Sequence, residues 1–155
     1  MVSFLLHRLE RPSLRRSAVT GGLASAAYLA EQALDRRLLR NEYDDLVLWG
    51  GFLSRNPARQ RLVGLLTHFT LGTLLAAAYE AALPLFPPWS GPLKGLLFVQ
   101  AENTLLYPGV PVINRVHPSV RLGEMPSLLT MRYLAVEVLR HAAFGLILGW
   151  AEDRQ

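Results

Sequence analysis

Four stretches of this chain are each about as long as a membrane is thick, and each is apolar apart from a few ionisable or amide residues in its interior. They run over about 17–34, 62–83, 93–113 and 128–151. Roughly 20 residues at a rise of 1.5 Å cross the hydrocarbon core of a bilayer. Between Leu66 and Ala82 the polar residues are Thr67, His68, Thr70, Thr73, Tyr79 and Glu80, which form no stripe. A helix resting on a soluble core needs a charged outer face. The pattern therefore predicts an all-α integral membrane four-helix bundle, with a soluble four-helix bundle as the alternative.

Composition agrees with the membrane reading. Of the 155 residues, 51% are hydrophobic and 18% are charged, with a mean hydropathy of +0.23. Soluble domains carry about 25% charged residues. The moderate hydropathy implies substantial polar loops between the spans. There are no cysteines, which excludes disulfides, thiolate metal sites and cysteine nucleophiles. The formal charge is +4, and Lys94 is the one lysine among 16 basic residues. The arginines gather at segment ends: Arg11, Arg15 and Arg16; Arg36, Arg37 and Arg40; Arg55, Arg59 and Arg61. That placement belongs to membrane flanks, and no basic–aromatic interleaving points to nucleic acid. No signal peptide is expected, because the apolar part of "VSFLLHRLERPSLRR" is short and lacks a small-residue cleavage site.

The connections differ in kind. The long charged link after the first segment contains "YDDLVLWGGFLSR", about 43–54, which reads as a short helix lying at the interface. "FPPWSGP", Phe86 to Pro92, is a tight turn carrying Trp89. Pro108, Gly109 and Pro111 break the third helix, since proline removes a backbone donor and restrains its neighbour. The spans and connections make one membrane domain, 1–155. Four spans place both termini on one side, and the arginine-rich long loops are expected to face the cytoplasm.

The second and fourth segments repeat one another. Aligning His68 with His141 superposes Gly72 on Gly145, Ala76 on Gly149 and Glu80 on Asp153. Small residues four apart let membrane helices approach closely, and a histidine four residues earlier shares their face. The first and third segments echo each other more weakly, through "AEQAL" around Glu31 and "AENTL" around Glu102, although Gly22 and Gly95 stand at different distances from those glutamates. The reading is two parallel repeats of a helical hairpin, related by an axis along the membrane normal.

A charge in mid-bilayer costs at least ~3 kcal/mol on insertion scales, so the ionisable groups in the spans should face inward and pair. Glu31, His68, Glu102, Glu137, Arg140 and His141 form the candidate polar centre. The expected pairs are Glu31–His68 and Glu102–His141, related by the repeat, with Glu137–Arg140 added at helical spacing. His7 and His117 fall outside the spans and are expected in solvent, and Glu80 is expected at the surface. Several roles fit such a centre: proton or divalent-ion handling, haem held by the two histidines, a bound lipid-like ligand, or pairs that only fix helix register. The cofactor stays unknown, and no dedicated metal-ligand set is evident. No Ser/His/Asp set, phosphate loop or carboxylate dyad has diagnostic spacing, so an enzyme is not expected. The bilayer is the expected partner, with other membrane subunits or further copies of the chain as candidates.

Residues Thr67 to Gly95, "THFTLGTLLAAAYEAALPLFPPWSGPLKG", the Pro108-Gly109 break and "EVLRHAAFG", Glu137 to Gly145, together resemble the YagU-like inner-membrane proteins, a four-span bacterial family. The resemblance covers roughly residues 60–153. It implies a small multi-pass protein of the bacterial inner membrane and assigns no reaction.

Overall fold

A computed structural model of the chain describes residues 13–154, which form helices joined by turns and loops, with no strand among them. Four long helices carry the architecture. Helix α1 spans Leu14–Leu38, α3 spans Pro57–Ala82, α4 spans Gly91–Leu106 and α7 spans Met131–Glu152. Between them lie the short helices α2, Asp45–Gly51, α5, Val110–Val116, and α6, Pro118–Arg121.

The helix starts follow capping chemistry. Asn56 accepts from the amides of Ala58 and Arg59, and Pro57 occupies the first turn of α3, where no amide is needed. Thr130 caps α7 through the amide of Tyr133. The third segment breaks where its prolines predict. Helix α4 stops at Leu106, one 3-10 turn covers Tyr107–Gly109, and helix resumes as α5 with Pro111 in its first turn. At the end of α1, Arg40 adopts a left-handed φ of 51°, the conformation that usually ends helices at glycine. The Arg132 guanidinium binds the Leu39 and Arg40 carbonyls there, placing a cation on the helix C-terminus.

Helix α1 packs antiparallel on α3 and on α7, and α7 packs antiparallel on α4. All four long helices meet in one apolar core of Ala24, Tyr28, Ala76, Tyr79, Val99, Phe144 and Leu148. A second cluster of Tyr43, Leu48, Val110, Met125, Leu128 and Tyr133 closes the end where the long loops lie.

Two of the contacts are backbone on backbone. Gly21 of α1 meets Gly72 of α3: a Cβ added at Gly72 would stand 3.1 Å from the Gly21 carbonyl oxygen. Gly95 of α4 meets Gly145 of α7, where the corresponding distance is 2.7 Å, and Gly91 meets Gly149 one turn further on. The helices can therefore approach only where no side chain intervenes. The residues expected to form the packing face are all buried: Gly72 and Ala76 on α3, Gly145 and Gly149 on α7.

The bundle buries several charged groups and leaves many leucines exposed. Arg140 is 1% exposed and Asp35 is 2% exposed, whereas Leu14, Leu66, Leu74 and Leu105 are 79%, 62%, 61% and 79% exposed. Along α3 only Gln60, Gly64, His68, Gly72, Ala76 and Tyr79 are buried, and leucines occupy much of the outer face. Of the four expected spans, two are long and apolar enough to cross a membrane: α3 with its extension to Leu85, and α7. Helix α1 contains Glu31, Gln32, Asp35, Arg36 and Arg37 within its length, and α4 stops after 16 residues.

The segment at 43–54 forms the expected short helix, α2, which packs along the first half of α3. A Cβ at Gly64 would press on the Leu46 backbone and one at Gly50 on the Gln60 backbone, so glycine at both positions lets α2 lie directly on α3. Helix α2 thus carries its N-terminal Asp45 down to the level of His68, about 16 Å along α3 from Pro57 at 1.5 Å per residue.

Candidate functional site

The polar centre lies between the two apolar clusters. Its fixed charge is Arg140 of α7. The Arg140 Nε donates to Asp35 Oδ2 at 2.7 Å, and its Nη2 donates to Asp35 Oδ1 at 3.0 Å and to the Tyr43 carbonyl at 3.0 Å. Asn41 donates to the same Asp35 carboxylate at 3.0 Å. Bidentate geometry with both partners desolvated makes this a strong and rigid ion pair. Glu31 and Glu137 flank the guanidinium, each with an oxygen 3.8 Å from one of its nitrogens.

The two histidines take different partners. His68 Nδ1 lies 3.1 Å from Asp45 Oδ2, and its buried Nε2 makes no hydrogen bond with the described residues. His141 is bound locally: its Nδ1 donates to the Glu137 carbonyl at 2.8 Å, so in the neutral ring the Nε2 lone pair is free. That Nε2 faces Glu102 Oε2 at 3.8 Å, and the Glu137 carboxylate stands 3.6 Å from Nδ1. Tyr28 joins the two sides. Its ring centroid is 4.8 Å from that of His68 and 5.4 Å from that of His141, and its hydroxyl donates to Glu137 Oε2 at 3.2 Å.

The structure thus brings the six expected residues into one neighbourhood and re-pairs two of them. Glu102 and His141 face each other, and Glu137 stands beside both Arg140 and His141, as the spacing predicts. Glu31 does not pair with His68. Glu31 points at Arg140, because it lies on the α1 face that meets α7, and Asp45 fills the place beside His68. The two glycine contacts explain the mismatch. Tyr28 stands seven residues after Gly21, and Glu102 seven after Gly95, so the counterpart of Glu102 in the first pair is Tyr28.

Asp35, Asp45, Tyr28 and Gln32 belong to the site and are not evident from the sequence. The aspartates read as loop charges there. The available clue is the pair Gln32 and Arg36, one turn apart on α1: the Gln32 side-chain Oε1 accepts from the Asp45 backbone amide at 2.8 Å, and Arg36 pairs with Asp44. A narrow gap beside the centre, with no room for a water molecule, is lined in part by Tyr43, Asp45, Tyr133, Glu137 and Arg140. No group of three or more metal-ligating side chains comes together among the described residues.

Two residues expected in solvent are structural. His117 is fully buried: its Nε2 donates to the Leu48 carbonyl at 2.8 Å, and its Nδ1 accepts from the Ser119 amide at 3.2 Å. The ring therefore ties α2 to α6, and burial pushes its pKa below the ordinary imidazole value. Glu80 accepts from the Ser13 amide at 3.2 Å and the Ser17 hydroxyl at 2.9 Å, capping the start of α1. Asp153 at the end of α7 accepts from the Gly91 amide at 2.7 Å and caps α4 in the same way. His7 lies outside the described residues.

No family model, curated protein or solved structure matches the chain.

Proposed function

We propose that the chain is a non-enzymatic, multi-pass protein of the bacterial inner membrane whose polar centre takes up and releases protons. In this reading α1, α3, the α4–α5 unit and α7 all cross the bilayer, and the two helix pairs are repeats of one hairpin. The membrane placement is supported by the many leucines on the outside and by Arg140 and Asp35 buried inside. The lower hydropathy of α1 follows from its place: its polar residues Ser17, Thr20, Ser25, Gln32 and Asp35 are buried against α3 and α7. The resemblance to YagU-like proteins agrees with the same placement.

The observation that carries the proton reading is the charge balance. Five carboxylates, Glu31, Asp35, Asp45, Glu102 and Glu137, meet one guanidinium and two imidazoles. With both imidazoles protonated, two carboxylates still lack a matching charge. A lipid-surrounded site cannot hold that excess, so protons or cations must neutralise it. Glu102 and His141 are the exchanging pair: a proton on the Glu102 carboxyl moves to the free Nε2 of His141, leaving carboxylate and imidazolium. Arg140–Asp35 takes no part, because its bidentate geometry and full burial favour a fixed pair.

The rival reading is an accessory subunit in which all these pairs only fix packing. The test is proton flux into liposomes carrying the full chain, read by an internal pH dye after an external acid pulse. Flux above that of empty liposomes, abolished in Glu102→Gln and His141→Ala while the fold is retained, is expected. No flux of protons or divalent ions, with Glu102→Gln changing stability alone, overturns the proton reading and leaves the subunit reading.

A further inference from the structure

The two ends of the bundle differ in charge. At the end away from the long loops, Arg15, Arg16, Lys94 and Arg154 are offset by Glu80, Glu152 and Asp153, with Arg16 paired to Glu152. At the loop end the offset fails. Arg37, Arg40, Arg55, Arg59, Arg115 and Arg121 are all exposed and form no ion pair with a described residue, whereas Glu42 and Glu124 are the exposed acids there. Asp44 is already held by Arg36 and Arg61.

These arginines come from separate segments that the fold draws to one end. Arg132 binds the carbonyls that end α1, His117 ties α2 to α6, and the Tyr43 hydroxyl donates to the Ser127 carbonyl at 2.9 Å. Exposed apolar side chains stand between them: Leu38 and Leu39, Phe52 and Leu53, and Leu122. Guanidinium groups set among outward apolar side chains match a layer with phosphate above and acyl chain below. Arginine suits this layer better than lysine because its planar fork binds phosphate oxygens in pairs and is less strongly hydrated.

We propose that the loop end is a binding surface for anionic phospholipid headgroups, with Arg37, Arg55, Arg59, Arg115 and Arg121 on the phosphates and Phe52 and Leu53 in the acyl boundary. The surface faces the cytoplasmic leaflet, where such lipids and positive loops coincide. The inference rests on the membrane placement above and is independent of proton exchange.

The experiment titrates the full chain, in neutral detergent micelles, with phosphatidylglycerol or with phosphatidylcholine of the same acyl chains, and follows the thermal unfolding midpoint. Each arginine near an anionic surface contributes ~1 kcal/mol, so apparent affinity should be at least about tenfold higher for phosphatidylglycerol. The preference should shrink in high salt and fall to about twofold in the variant Arg55→Gln/Arg59→Gln/Arg115→Gln/Arg121→Gln. Circular dichroism checks the fold of that variant; if it is lost, Arg55→Gln and Arg115→Gln singly should each weaken the preference. Equal response to the two lipids overturns the proposal. So does equal stabilisation by glycerophosphoglycerol, the headgroup without chains, or by a short RNA, either of which marks a general anion site. A chain that fails to enter phosphatidylcholine vesicles overturns the membrane placement, whereas one that enters but shows no headgroup preference overturns this surface alone.

Discussion

The pair α1/α3 and the pair α4/α7 share a packing plan and differ in chemistry. In each, a glycine of the first helix meets a glycine of the second, Gly21 on Gly72 and Gly95 on Gly145. In each, a carboxylate near the end of the second helix caps the start of the first, Glu80 in one and Asp153 in the other. In each, a histidine stands four residues before the shared glycine. The partners of those histidines are unlike. His141 finds Glu102 and Glu137 within its own pair, whereas His68 takes Asp45 from α2, an element inserted between α1 and α3. Backbone contact demands the same small residues in both pairs, because no other solution brings two helices that close. The acid beside a histidine can come from any element that reaches the same depth, so it is free to differ.

The largest expected effect lies where the two pairs join. Arg140→Leu leaves Asp35 buried without its cation, and breaking a buried pair from one side costs about 3–5 kcal/mol. The double variant Arg140→Leu/Asp35→Leu should recover most of the loss, measured by denaturant unfolding in micelles. A double variant as unstable as the single one would show that Arg140 holds the join through the Tyr43 carbonyl instead.

The glycine contacts should respond alike in the two pairs. Gly21→Val and Gly95→Val each force a side chain onto backbone, for a loss of about 1–3 kcal/mol or more. Gly22, whose added Cβ would meet nothing within 4 Å, serves as control, and Gly22→Ala should be neutral or stabilising. Loss in one pair only would break the shared plan.

His117 sharpens the difference between the pairs, because it anchors α2 and thus the borrowed Asp45. Arg55 and Glu124 are the charged groups that act on its ring. Its folded pKa lies below the unfolded one, so the unfolded chain takes up the proton first as pH falls. Above about pH 6.5 both states are neutral and the group contributes no pH dependence. Below that value stability is lost until the folded-state pKa is reached, by up to about 1.4 kcal/mol per pH unit. His117→Gln should flatten this part of the stability profile between pH 8 and 5. An unchanged slope would assign the acid sensitivity elsewhere.

The smallest effect concerns the caps. Glu80→Gln and Asp153→Asn each weaken a charged cap at a helix start, for a loss of about 1 kcal/mol. Similar shifts in thermal midpoint are expected, and a shift confined to one would mean that the capping is not equivalent.

Much of this is legible in the sequence because it depends on spacing along a helix. His68, Gly72 and Ala76 share a buried face, Glu137 and Arg140 lie one turn apart and buried on α7, and the break at Pro108 and Gly109 follows from proline's missing amide. Glu102 meets His141 because neighbouring antiparallel helices put them at one level. The rest depends on where a connection folds back. Asp35 and Asp45 look like solvated loop charges until α2 is seen to lie on Gly64. The echo between Glu31 and Glu102 misleads because it aligns composition, whereas packing aligns glycines and sets Tyr28 against Glu102. His117 is missed because a polar turn usually exposes its side chains.

The proposed placement puts the leucine-covered exterior in lipid and the charged groups inside. The chain has no native cysteine, so single cysteines report without background. The direct measurement is the reactivity of Leu66→Cys, Leu74→Cys and Leu146→Cys toward a membrane-impermeant maleimide in native membranes, with Arg55→Cys as the water-exposed reference. The account predicts labelling at position 55 and none at the three leucine positions until the membrane is dissolved and the protein denatured. Rapid labelling of all four positions in intact membranes opened to both faces would contradict it.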